Sequence, residues 1–128
     1  MKRRKIAPAV LLAGLLFQGM AVAETPSKKI LIDTPYPTGF HTRIVETRIP
    51  ADAQAPLHLH PGIESGYIVS GGGTLHIDGQ PARALKPGDT ALVTPGTRHW
   101  FKNGPQPTLI VSTYVLEDGK EPMQLVKP

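Results

Sequence analysis

Beyond residue 23, apolar positions come in short runs rich in Val, Ile, Thr and Tyr, separated by Gly, Pro and Asp, and no stretch keeps a helical period beyond two turns. Such a pattern predicts an all-β antiparallel sandwich or barrel, because each run can bury one face and each Gly, Pro or Asp can reverse the chain. The predicted strands are Lys29 to Ile32, Thr42 to Ile49, Leu57 to His60, Gly66 to Val69, Thr74 to Ile77, Ala82 to Leu85, Thr90 to Val93, His99 to Phe101 and Leu109 to Leu116. Asp78-Gly79 is expected to be a two-residue hairpin turn with both central residues at positive φ. Further turns fall at Pro61-Gly62, Gly71-Gly72-Gly73 and Pro87-Gly88-Asp89. The ends, Glu24 to Lys28 and Glu117 to Pro128, read as arms that either lie over the sheet or stay mobile.

The first 23 residues follow a different pattern. A basic start, Lys2 to Lys5, precedes an apolar run from Ile6 to Met20, and Ala21-Val22-Ala23 has the small-x-small form of a signal-peptidase site. Residues 1–23 are therefore expected to be a signal peptide cleaved before Glu24, leaving one domain over 24–128 with its core about 42–116, periplasmic or secreted. Arg3-Arg4 also admits a twin-arginine signal, which would export the protein already folded and metal-loaded. The apolar run is short for a membrane span and no later one is long enough, so no membrane association is expected after cleavage.

Cleavage changes the charge. The formal net charge is +4, from 14 Lys and Arg against 10 Asp and Glu. Four of the basic residues lie in the leader, so the remainder has 10 against 10 and gives no support to nucleic-acid binding. The chain has no cysteine, which excludes a disulfide framework and a lipid-anchored cysteine.

The candidate chemistry lies in His58, His60 and Glu64, within the stretch HLHPGIE, and in His99. Histidines one residue apart on a strand point to the same face, with Leu59 to the other. Glu64, after the Pro61-Gly62 turn, can face the same interior. Neutral imidazoles suit borderline metals, and one carboxylate partly neutralises a divalent cation. The set leaves room in the coordination sphere for water or substrate. By alternation Ile68 shares a face with Glu64, and Phe101 with His99, so both are candidates for the apolar wall of a substrate pocket. Arg98 is either a solvated charge or a contact for an acidic substrate. His76 reads as solvent-facing, structural or barrel-lining, and His41 as an exposed loop residue.

With these motifs placed, the chain resembles the cupin superfamily. The family's first motif is a glycine, five residues, His-x-His, three or four residues, Glu, six residues and a glycine. His58, His60, Glu64 and Gly71 fit it, with Asp52 at the leading glycine's place. The second is a glycine, five residues, Pro-x-Gly, two residues, His, three residues and Asn. Gly88, Gly96, His99 and Asn103 fit it, with Thr94 for the proline and Pro95 shifted by one. The resemblance spans Asp52 to Asn103, about half of the expected mature chain. It implies a single small double-stranded β-helix, or jelly roll, whose ion is bound by His58, His60, Glu64 and His99.

A single divalent transition metal is thus expected, with Fe, Mn, Ni, Cu, Co and Zn all compatible. The activity expected is that of a metal-dependent oxidoreductase, dioxygenase-like, or a lyase acting on a small molecule, with Glu64 as ligand or base. The alternative is a non-catalytic periplasmic module that binds a small molecule or metal. Pairing of edge strands into a homodimer is a further expectation, from the resemblance.

Overall fold

The computed structural model describes residues 24–127; the expected signal peptide, 1–23, lies outside the described residues, as does Pro128. Each of the predicted runs lies in or overlaps a strand. In chain order these are β1 (Ser27–Thr34), β2 (Phe40–Ile49), β3 (His58–Leu59), β4 (Gly62–Ser70), β5 (Gly73–Ile77), β6 (Arg83–Leu85), β7 (Thr90–Val93), β8 (His99–Asn103), β9 (Thr108–Glu117) and β10 (Gln124–Leu125). They form two antiparallel five-stranded sheets, ordered β1-β2-β9-β4-β7 and β10-β3-β8-β5-β6. Between them the inward positions build an apolar core of Ile49, Ile68, Leu75, Leu85 and Phe101. Val45, Tyr114 and Leu116 form a second buried cluster.

Several boundaries differ from expectation for local reasons. β4 starts at Gly62, not Gly66, because Gly62 pairs with Leu116. A Cβ there would collide with the Val115 carbonyl oxygen, so only glycine lets the two strands approach this closely. The Asp78-Gly79 turn is not the expected type: Gly79 has φ 76°, while Asp78 is not among the positive-φ residues. Gln80 N–H donates to the Ile77 carbonyl at 3.0 Å, and β5 and β6 are last paired at Leu75 and Arg83, so the loop is longer than two residues.

The departures from the family pattern are accommodated. Asp52, at the leading glycine's place, holds φ 59°, a left-handed conformation that aspartate tolerates better than most residues. Asn103 is a structural anchor whose Nδ2 donates to the Ile49, Pro50 and Gln106 carbonyls, while its Oδ1 accepts from Thr108 Oγ1.

The arms are also placed. Ser27 and Lys28 belong to β1, and Gln124 and Leu125 pair with Leu59 and His58 as β10, a strand the hydropathy pattern did not signal. Both arms therefore extend the fold beyond 42–116.

Candidate metal centre

Strand register brings the histidines together. His58 on β3 lies directly opposite His99 on β8, and directly opposed residues share a face. Their ring centroids are 4.2 Å apart. His60, two residues beyond His58, lies 4.9 Å and 5.2 Å from the His58 and His99 rings. All three are buried, and one ligand nitrogen from each lies within 4.8 Å of the others.

Each ring is oriented by the main chain. Nδ1 of His58 contacts the Pro56 carbonyl at 2.7 Å, Nδ1 of His60 the Pro122 carbonyl at 2.7 Å, and Nδ1 of His99 the Thr97 carbonyl at 2.9 Å. A carbonyl oxygen can only accept, so each Nδ1 carries the hydrogen, and in its neutral form each ring presents a lone pair at Nε2. The Nε2 atoms of His60 and His99 are buried without a hydrogen-bond partner. Burial lowers the pKa of His58 to about 4, with the His99 and His60 charges acting the same way; the Pro56 carbonyl and Glu64 oppose this.

Glu64 arrives from the other sheet. Its Oε2 lies 3.1 Å from His60 Nε2 and 3.4 Å from His99 Nε2. Its Oε1 accepts from Tyr114 Oη at 2.8 Å and Ser112 Oγ at 3.0 Å. Register explains both donors, since Glu64 pairs with Tyr114 and Gly66 with Ser112. Burial alone would raise the Glu64 pKa, but His60, His99 and Tyr114 outweigh it and hold the carboxyl well below its usual range. Burial, then the Glu64 charge, pushes the Tyr114 hydroxyl above its usual range, so it remains a donor. When both rings are neutral, as metal ligation requires, Oε2 and the two Nε2 lone pairs are acceptors facing one another. That arrangement is repulsive until a cation lies among them, and nitrogen and oxygen donors of this kind fit a divalent transition metal.

Beside these groups is a cavity of about 110 Å³. Its wall includes His58, Glu64 and His99 at one pole and apolar side chains such as Ile68, Leu75 and Phe101 over the rest.

A family model described as the cupin domain matches residues 45–114, more than half of the 128-residue chain. The chain belongs to the cupin family. No curated protein matches it. Among solved structures, this cupin is similar to the DMSP lyase DddQ from Ruegeria pomeroyi DSS-3, at 23% identity and TM-score 0.70, over 90% of this chain and 60% of that one. It is similar to a cupin-like protein from Thermotoga maritima msb8, at 26% identity and TM-score 0.64, over 79% of this chain and 75% of that one. The polyketide cyclase RemF from Streptomyces resistomycificus is 23% identical with TM-score 0.65, over 84% of this chain and 78% of that one. The chain thus spans about 60% of the lyase's length.

The cupin brings His58, His60, Glu64 and His99 together, with Ile68 and Phe101 on the cavity wall as alternation requires. Arg98 is different. It points away from the cavity and pairs with Asp78 at 2.5 Å on the surface, because its neighbour His99 takes the inward face. His76 stacks on Trp100, directly opposite it across β5 and β8, with ring centroids 3.7 Å apart. His41 lies in β2 rather than a loop and pairs with Asp118. The sequence reading missed Ser112 and Tyr114. Their mark is two polar residues at period two within the apolar β9, but which strand they face depends on long-range pairing.

Proposed function

We propose that this cupin is a metal-dependent enzyme acting on a small molecule, and that its reaction is a lyase elimination. The observation that carries this reading is the convergence of three carbonyl-anchored imidazoles, each with Nε2 as its free nitrogen, with the Glu64 carboxylate. His58, His60 and His99 would hold the ion, with Glu64 as a further ligand. A bound divalent ion would supply Lewis-acid polarisation of a substrate oxygen. Released from the ion, Glu64 is the side chain placed to take a proton, and Ser112 and Tyr114 keep its carboxylate at the cavity's edge. Ile68 and Phe101 exclude water from that side.

Dioxygenase-like oxidation is the competing chemistry. Elimination is favoured because it needs a base beside a Lewis acid, and Glu64 is a base in that position. The similarity to a solved DMSP lyase agrees in kind. The deep burial of the three histidines favours one further reading, a non-catalytic module that holds a metal or small ligand tightly.

We also propose export after cleavage before Glu24, supported by the leader pattern, and a homodimer. The latter is supported by β1, an edge strand whose Ile30, Leu31 and Ile32 are all exposed. The mass of the exported protein and sedimentation equilibrium check these two.

To test the reaction, protein loaded with each of the six metals is screened against small acids and esters bearing a leaving group β to the carbonyl. Unsaturated product is followed by absorbance and dioxygen by electrode. The expected result is product without oxygen uptake, reduced at least about 100-fold by Glu64→Gln. Oxygen uptake matching product would sink the lyase reading in favour of oxidation. Tight metal binding without any turnover would leave the binding module.

A further inference from the structure

The cavity beside the histidines has one cationic side chain on its wall, and it comes from the amino-terminal strand. Lys28 on β1 pairs with Thr47 on β2, and directly opposed residues share a face. Thr47 lines the same cavity, so Lys28 is turned toward the barrel and not toward the outer surface. Lys28 also lines a neighbouring cavity of about 230 Å³ that reaches His60 and Tyr114 from another side, so the residue borders both.

The other charges nearby are already matched. Arg43, on the wall of the second cavity, donates to Asp33 at 3.0 Å. Glu64 is held by Ser112, Tyr114 and the two imidazoles. Lys28 makes no ion pair among the described residues. The register places Lys28 in the row of Thr47, Ile110 and Ile68, four residues along β4 from Glu64, so the cavity runs from the metal-competent groups past apolar side chains toward this cation. Such a pattern suits a molecule with a donor atom at one end, a short apolar body and an anion at the other. Its size suits a small one, since about 110 Å³ is less than the ~150 Å³ cavity that holds benzene.

We infer that Lys28 anchors a carboxylate of the substrate distinct from the donor group that the ion would hold, which makes the substrate class small organic acids bearing a second donor group. This rests on the proposed metal site in the same cavity. Because Lys28 is exposed, its contribution is modest and weakens with salt.

The test uses protein loaded with Co(II), whose visible spectrum reports the site, titrated with 3-mercaptopropanoate and its uncharged counterpart 3-mercaptopropanamide. The wild type should bind the carboxylate at least about fivefold more tightly than the amide. Lys28→Gln should abolish that preference without altering Co(II) binding or amide affinity, and Lys28→Arg should keep it. An unchanged preference in Lys28→Gln would overturn the inference and leave Lys28 as a charge that guards an exposed sheet edge. A protein that takes up no Co(II) would show no site spectrum before any thiol is added. That outcome would refute the metal site itself, and the inference with it.

Discussion

At the residue scale, the centre depends on neutral imidazoles in a buried place. His58 shows the cost most clearly, since burial takes its pKa from an ordinary 6.5 down to about 4. Between those values the unfolded chain binds a proton that the folded chain refuses, so acidification favours unfolding. The stability linked to His58 is complete above pH 6.5 and is lost as pH falls through about 4. Denaturation midpoints of the metal-free protein should therefore fall from pH 7 to pH 4.5, and His58→Ala should flatten that slope. A midpoint constant over this range would contradict the assignment. Glu64, held low in the fold, adds its own loss only as pH falls below its ordinary 4.5. The shared face of His58 and His60 and the wall residues Ile68 and Phe101 were legible because alternation along a strand is local, while the full ligand set with His99 followed from the motif resemblance. Ser112, Tyr114 and Lys28 were not, because each acquires its role from the strand it pairs with. Arg98 shows the limit of adjacency: one step from His99 along a strand is the opposite face.

At the element scale, strand existence was legible and strand ends were not. Gly62 was read as a turn residue from the Pro61-Gly62 pair, yet it belongs to β4 and packs against β9. Gly62→Ala should destabilise the fold by about 1–3 kcal/mol, measured by urea denaturation, because a methyl group there must displace the Val115 backbone. Wild-type stability in that variant would show that the two strands can separate freely. β10 escaped the hydropathy reading because its Gln124 and Leu125 are exposed and carry no alternation. Its run-in matters nonetheless: the carbonyl of Pro122, two residues earlier, fixes the His60 ring.

At the scale of the whole molecule, the site joins the two sheets. β3 and β8 of one sheet supply His58 and His99, while β4 of the other supplies Glu64, so a bound ion would bridge the sheets and stabilise the fold by mass action. An antiparallel sandwich or barrel was legible from turn punctuation, and the jelly roll from the resemblance that the two motifs carry. The two-sheet enclosure of the centre required the actual pairings. The most direct test is metal content by elemental analysis of protein purified without added metal or chelator, for the wild type, His58→Ala and His99→Ala. The account predicts about one equivalent of a divalent transition metal in the wild type and loss of most of it in both variants, with the β signal in circular dichroism preserved. Full metal retention in both variants, or a wild type that takes up no metal even on titration, would contradict it.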